Sequence, residues 1–370
     1  MLISGTNADT LTVGVERDSG GTLPIAVVVP AFNRAQFIAE ALNSVFGQTR
    51  QPAEIIVVDD GSTDGTADIA EALGVKVLRQ SNLGPSAARN AGVAATSQPW
   101  IAFLDSDDVW LPDKLESQWD ALSRCPGAGV AFCDFSQFED GRTVVASFFQ
   151  GNVDYQRVQR SVLGPDSALC ARESLFGGCY NEGGYFIRGS SLLVRRDVLN
   201  EAGLFDPDLH YWEDYELLAR MFALTSAVVV ERILWRQRIH RSNTTANHLE
   251  VLKGTAKVGD KVLRNAARYP SETVEHWRRE QQFYLRRAGI ACLQTGDLVH
   301  ARRLLWQRAL TRPTPVAIGT LFGALLLSVG GQRLYATLRR RAQVERSLSN
   351  GQLTKPPEEQ TQAHHPASSA

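Results

Sequence analysis

The chain has 370 residues, 44% of them hydrophobic, with 39 Lys+Arg against 40 Asp+Glu for a formal net charge of −1. That leaves room for about two or three modules around a real core, and the charge balance gives no reason to expect nucleic acid as the main partner. The five cysteines (Cys125, Cys133, Cys170, Cys179, Cys292) are odd in number and form no C-x-x-C pair, which points to a reducing compartment rather than a disulfide framework or structural zinc. Residues 1–21 are polar, with acids at Asp9, Glu16 and Asp18 and no apolar stretch of signal-peptide length, so a flexible segment over 1–23 without an export signal is expected. Residues 25–29 (Ile-Ala-Val-Val-Val) then read as a first buried strand, broken by Pro30-Ala31-Phe32-Asn33-Arg34. Residues 35–47 carry apolar positions at helical spacing. Strands are expected at 54–58, 75–78 and 100–104, with helices at 63–73 and 85–95 between them. Strands alternating with helices of this length imply βαβ units, a mostly parallel sheet and helices on both faces. Right-handed crossovers then bring the loops after these strands to one edge.

Beyond residue 130 the pattern loosens. Strands are plausible at 130–134, 191–194 and 227–230, with a long Gly- and Asn-containing loop over 163–184. Loops of that length usually serve as lids or substrate-binding walls. From 249 onward the chain reads as helical, with a helix–turn–helix over 283–310 turning at Thr295-Gly296-Asp297. Residues 315–331 are uncharged and mostly apolar, but 17 residues of helix span about 25 Å, short of the roughly 30 Å hydrocarbon core. A packed terminal helix or a membrane-surface segment is therefore expected there. Residues 343–370 are polar and rich in Ser, Gln and Pro, the composition of a disordered tail.

The chemistry concentrates at strand ends. Phe103-Leu104-Asp105-Ser106-Asp107-Asp108 runs a hydrophobic strand into a carboxylate cluster, at the edge where open α/β sheets bind ligands. Carboxylates that close repel unless a cation or proton is shared, and a hard ion such as Mg²⁺ or Mn²⁺ would also bridge to a phosphate. A solvated turn before the helix near Trp110 is the plainer explanation of this stretch alone. A second set, Asp59-Asp60-Gly61-Ser62-Thr63-Asp64, has the residues of a turn and helix cap, but two such clusters on one edge call for more. Between them, 80–92 place Gly84 ahead of a helix that carries Arg89, a cation that could face a diphosphate. Glu213-Asp214 opens a further helix, and His240 follows the apolar run 228–235.

Together these pieces resemble the inverting family 2 glycosyltransferases, which have the nucleotide-sugar-binding GT-A fold. The resemblance covers about 24–243 and rests on five motifs in the family's order: Pro30-Ala31-Phe32-Asn33, Val58 to Asp64, Asn82 to Gly92 with Arg89-Asn90, Asp105-Ser106-Asp107, and Glu213-Asp214. Phe32 stands where the family more often has Tyr. The resemblance implies an α/β GT-A domain over 24–248, a Rossmann-like mostly parallel sheet with helices on both faces, followed by a C-terminal helical extension over 249–342. It implies a nucleotide-sugar site made of Pro30, Phe32, Asn33, Asp60, Asn82, Arg89, Asp105 and Ser106. Asp107 and His240 would hold Mn²⁺ or Mg²⁺, Asp214 would be the general base, and Glu213 would order the site.

The implied reaction moves a sugar, with uridine the commonest base among relatives, from a nucleoside-diphosphate sugar to a glycan or lipid-linked acceptor. The implied setting is bacterial surface polysaccharide assembly in the cytoplasm, with peripheral contact at the inner membrane face through the C-terminal apolar segment. A sugar-nucleotide pyrophosphorylase would want a Gly-rich loop after strand one, and 30–34 contains no glycine. A non-catalytic nucleotide-sugar-binding or membrane-associated scaffold would not need Asp214.

Overall fold

The structure, a computed structural model, describes residues 21–170, 175, 186–243, 247–311 and 313–327. The expected N-terminal segment and C-terminal tail, and most of 171–185, lie outside them. Strands β1 (Leu23–Ala31), β2 (Pro52–Asp59), β3 (Lys76–Arg79) and β4 (Trp100–Phe103) alternate with helices α1 (Ile38–Phe46), α2 (Thr66–Ala72) and α3 (Pro85–Ala94). β5 (Val109–Trp110), α4 (Lys114–Ser123), β6 (Ala128–Glu139) and β7 (Arg142–Val145) follow, then the short helices α5 (Phe148–Gly151) and α6 (Val153–Arg157). Next come β8 (Arg160–Gly164), β9 (Ser167–Cys170), β10 (Leu193–Arg195), α7 (Arg196–Ala202), α8 (Glu213–Leu224) and β11 (Ser226–Arg238). The chain continues through α9 (His248–Arg264), α10 (Ser271–Thr295), α11 (Leu298–Thr311) and α12 (Pro315–Leu327).

One sheet has the order β3-β2-β1-β4-β10-β6-β11-β9-β8, with β5 on β11 and β7 on β6. β1 pairs in parallel with both β2 and β4, and β2 with β3. β10 runs antiparallel to both β4 and β6, so β6 and its parallel partner β11 point the same way as β1. The C-terminal ends of β1, β2, β4 and β11, and the residues just before β10, therefore lie at one edge. That edge collects the acids.

Side chains of the central strands alternate between two cores, as the period of a strand requires. Val28, Ile101, Phe103, Phe132 and Val229 share one cluster with residues of α3, α7, α8 and α9. Val27, Val29, Ala102, Leu104 and Val230 share the other with residues of α1 and α4. Both faces are covered by helices, which is why the strands read as unbroken β-branched runs.

Three local differences from the sequence reading have physical causes. Pro30 does not break β1. It pairs with Val58, and the side of the strand on which its missing N–H would lie faces β4, whose ladder with β1 ends at Val28↔Phe103. β6 and β11 run to 12 and 13 residues, well past the apolar stretches 130–134 and 227–230, because their second halves mix polar residues with apolar ones and carry irregular register around Ile233. Part of the expected loop over 163–184 is an antiparallel hairpin of β8 and β9.

The chain divides into two compact units, Met1–Tyr284 and Leu285–Ala370. In the first, α9 and the start of α10 close the core through Val258, Val262, Val274 and Trp277. In the second, the turn expected at Thr295-Gly296-Asp297 is present, with Gly296 at φ 82°, and Leu293, Leu305, Ala309 and Leu321 pack together. Among the described residues no helix is long and apolar enough to cross a membrane.

Candidate active site

The loop after β1 is held by the loop after β2. Asn33 adopts φ 52°, a backbone region that asparagine tolerates better than most residues. Its side-chain Oδ1 accepts the Thr63 N–H at 2.9 Å, and its backbone N–H donates to Ser62 Oγ at 2.9 Å. Phe32 stands exposed at the strand end, and Pro30 is buried within the strand. Asp60, nearly fully buried, accepts from the backbone N–H groups of Leu83 and Gly84, both at 2.8 Å, and from Gln80 Nε2 at 2.7 Å. It thereby ties the end of β2 to the start of α3. Gly84 needs its φ of 91° to turn the chain into that helix, and a Cβ there would meet the His210 ring at 3.0 Å. The Ser86 hydroxyl donates to Leu209 O at 2.8 Å, so the 206–211 loop lies on the same helix start. Asn82 is exposed beside it.

α3 can approach β1 because position 92 has no side chain; a Cβ would fall 2.3 Å from Val28 Cγ1. One turn earlier, Arg89 is buried and reaches two carboxylates, Asp105 and Glu213, each at 2.7 Å. Burial disfavours its charge, but Asp105 and Glu213 outweigh that and raise it above the ordinary arginine value. Arg89 thus joins the β4 end to the start of α8, meeting carboxylates where a diphosphate was expected.

The loop 105–108 is clamped from behind. The Ser190 hydroxyl accepts from Asp105 N–H at 3.0 Å and donates to Asp108 Oδ2 at 2.6 Å. Arg238 N–H donates to Asp108 Oδ1 at 3.1 Å, and its Nε to Asp107 O at 3.0 Å. Burial, then repulsion from Asp107 and Asp105, pushes the Asp108 carboxyl well above its ordinary value. Ser106 is buried. Asp107 Oδ2 lies 3.1 Å from His240 Nε2 and accepts from Arg34 Nε at 3.1 Å. Burial pushes Asp107 up, but His240 and Arg34 together hold it below the ordinary value.

At the start of α8, Trp212 sits at φ 63°, an outlier for a bulky residue immediately before the two acids. Burial raises Glu213 despite Arg89. Asp214 is partly exposed, and burial followed by repulsion from Glu213 pushes it up to about 7, against the pull of Arg89 and Arg188. Glu213 has the guanidinium in direct contact. Among the described residues Asp214 has no guanidinium in direct contact to offset its burial.

A family model described as "Glycosyl transferase family 2" matches residues 26–175. An uncharacterized glycosyltransferase of Nostoc sp. is 30% identical over 243 residues, covering 64% of this chain and 70% of the relative. The chain belongs to glycosyl transferase family 2. The succinoglycan biosynthesis protein ExoU of Rhizobium meliloti is 29% identical over 223 residues, covering 54% of this chain and 57% of the relative. The crystal structure of S. aureus TarS 1-349 in complex with UDP-GlcNAc aligns with a TM-score of 0.55 and 18% identity, covering 90% of this chain and 93% of that one. That likeness shows a shared fold, the GT-A glycosyltransferase fold.

In this family 2 transferase Asp107 and His240, the pair expected to hold a divalent cation, lie side by side, with Asp107 Oδ2 3.1 Å from His240 Nε2. His240 Nδ1 lies 2.8 Å from the Ser242 hydroxyl, and Nε2 faces both Asp107 Oδ2 and, at 3.2 Å, Asn243 Nδ2. Among the described residues no group of three or more His, Cys, Asp or Glu could hold a metal. One carboxylate and one imidazole leave most positions of a hard cation to other ligands, and a diphosphate is a ligand such ions commonly take. Motif reading did not single out Arg34, Arg238 and Ser190, which hold these acids. Their contacts span 73, 131 and 82 positions in sequence, and no local pattern encodes such pairs.

Proposed function

We propose that this glycosyltransferase moves a sugar from a nucleoside-diphosphate sugar, UDP-linked, to an acceptor hydroxyl with inversion at the anomeric carbon. The observation that carries the reading is Asp214: a carboxylate raised to about 7, partly exposed, one residue from the Arg89-bridged Glu213. A base poised near working pH suits removal of an alcohol proton. Asp214 takes that proton as the acceptor oxygen bonds to the anomeric carbon. On the opposite face the bond to the diphosphate breaks, and the leaving nucleoside diphosphate keeps the electron pair. One displacement inverts the centre and needs no covalent enzyme intermediate.

Mn²⁺ or Mg²⁺ held by Asp107 and His240 would supply positive charge against the diphosphate. Phe32, Asn33, Asp60 and Asn82, with Pro30 behind them, form the loops offered to the nucleoside, and Asp105 and Ser106 those offered to the ribose or sugar. The TarS complex with UDP-GlcNAc supports the uridine donor. The ExoU likeness supports a role in bacterial polysaccharide assembly. An acceptor carried on lipid at the cytoplasmic membrane face is supported within the second unit by exposed Trp306, Leu310, Val316 and Ile318. The four described cysteines, free and mostly buried, accord with a reducing compartment.

Asp214→Asn is the test. Transfer from a turned-over nucleotide sugar is expected to fall by at least about 1,000-fold, while donor affinity by calorimetry stays within about threefold. Turnover at the parent rate would remove Asp214 as the base.

A further inference from the structure

Arg34 occupies the oxygen that the cation reading assigns to the metal. Its Nε donates to Asp107 Oδ2 at 3.1 Å, and that same oxygen is the one 3.1 Å from His240 Nε2. Among the described residues the rest of the guanidinium meets backbone carbonyls: Nη1 donates to Phe32 O at 3.3 Å and Asn33 O at 3.1 Å, and Nη2 to Ser242 O at 3.2 Å. The backbone beneath it is pinned, with Arg34 N–H on Thr66 Oγ1 at 2.7 Å and Ala35 N–H on Asp64 at 3.0 Å. A fixed backbone thus carries a flexible side chain whose head spans the loop after β1, Asp107 and the loop after β11. The Arg34 and Asp107 side chains are 16% and 13% exposed. Two cations cannot crowd one partly buried carboxylate oxygen without strong repulsion.

We propose that Arg34 is the resident counterion of the cation site. It neutralises Asp107 while the nucleotide is absent, leaves that oxygen when the divalent ion arrives with the donor, and swings onto the diphosphate. The guanidinium fork suits phosphate oxygens as well as it suits a carboxylate. The proposal rests on the metal reading above and adds an exchange to it. The site would then take the ion and the nucleotide together more readily than the ion alone.

The test is Mn²⁺ binding without nucleotide, read by electron paramagnetic resonance of the free ion, beside UDP binding with Mn²⁺ present, read by calorimetry. Arg34→Gln removes the competitor and the phosphate partner together. Mn²⁺ alone is expected to bind about tenfold tighter and UDP with Mn²⁺ about tenfold weaker, opposite signs that a residue merely lining the pocket would not give. Arg34→Lys keeps the charge but not the fork and is expected to tighten Mn²⁺ by about threefold; it carries the test if Arg34→Gln does not fold. Unchanged or weaker Mn²⁺ binding in the folded variant overturns the exchange. Asp107→Ala separates the two readings: if it loses Mn²⁺ while Arg34→Gln matches the parent, the metal ligand stands and the exchange falls. If Asp107→Ala keeps the parent's Mn²⁺ affinity, or the parent binds no Mn²⁺ even with UDP present, both fall.

Discussion

Replacing Arg89 with methionine tests the junction between the two halves of the site. The substitution keeps a similar length of apolar side chain and deletes a guanidinium bridging Asp105 and Glu213 at 2.7 Å each, with Arg89 and Glu213 side chains only 7% and 11% exposed. Removing one partner of a buried ion pair strands the other charge, at a cost of about 3–5 kcal/mol. Asp105 is 35% exposed and regains water, which puts the expected loss at the low end, about 3 kcal/mol. The stranded group is chiefly Glu213, whose carboxyl is already raised by burial and rises further without Arg89. A carboxyl raised in the native state binds more protons there than in the unfolded chain. Stability is therefore retained below the ordinary glutamate value and lost as pH climbs through the raised one. Urea unfolding followed by tryptophan fluorescence should show the variant's deficit shrinking from pH 8 to pH 5. Activity should fall by at least about 100-fold, because Asp214 loses its placement relative to Asp105. Any residual rate should rise at higher pH than in the parent, since Arg89 pulls the Asp214 carboxyl down from where burial puts it. A variant within about 0.5 kcal/mol of the parent at both pH values, with an unmoved pH limb, would refute the bridge as the organiser of the site.

Two further outcomes follow from packing and burial. Lys114 is fully buried, donates to Gln118 Oε1 at 2.8 Å and lies over Trp110, and burial lowers it to about 8. The unfolded chain then binds the extra proton between about 8 and 10.5, so the parent gains stability as pH rises through that window. Lys114→Met should stabilise by about 1 kcal/mol at pH 7, the relieved burial offset by the orphaned Gln118, with the gain vanishing above about pH 10; destabilisation at pH 7 by thermal melting would contradict this. Gly92→Ala should cost about 1–3 kcal/mol despite alanine's better helix propensity, because its Cβ would overlap Val28. Val28→Ala should recover part of that loss in the double variant, and a stabilised single variant would mean that α3 does not sit tight on β1.

The fold was legible where both sheet faces are buried, because β-branched runs such as 25–29 and 54–58 admit little but central strands. The acids were legible for a related reason: parallel strands bring successive C-terminal ends to one edge, which puts Asp60, Asp105 and Asp107 on the same edge of the sheet. His240 joined them because β11 runs parallel to β6. The hairpin of β8 and β9 was missed because its apolar residues are few and partly exposed. The role of Arg89 was only half legible. Its helix sits against β1 because Gly92 leaves room for Val28, and its second partner, Glu213, lies 124 positions away. Arg34 directly follows the motif Pro30-Ala31-Phe32-Asn33, yet which carboxylate it would choose is a property of the folded edge alone.

The stereochemistry of the product tests the account most directly. Proton NMR of the anomeric coupling, in product made by the parent enzyme from an α-linked nucleotide sugar that it turns over, distinguishes one displacement from two. A β-linked product is expected from the single attack assisted by Asp214. An α-linked product would contradict the account, because it would require either a covalent intermediate or attack from the side of the leaving diphosphate.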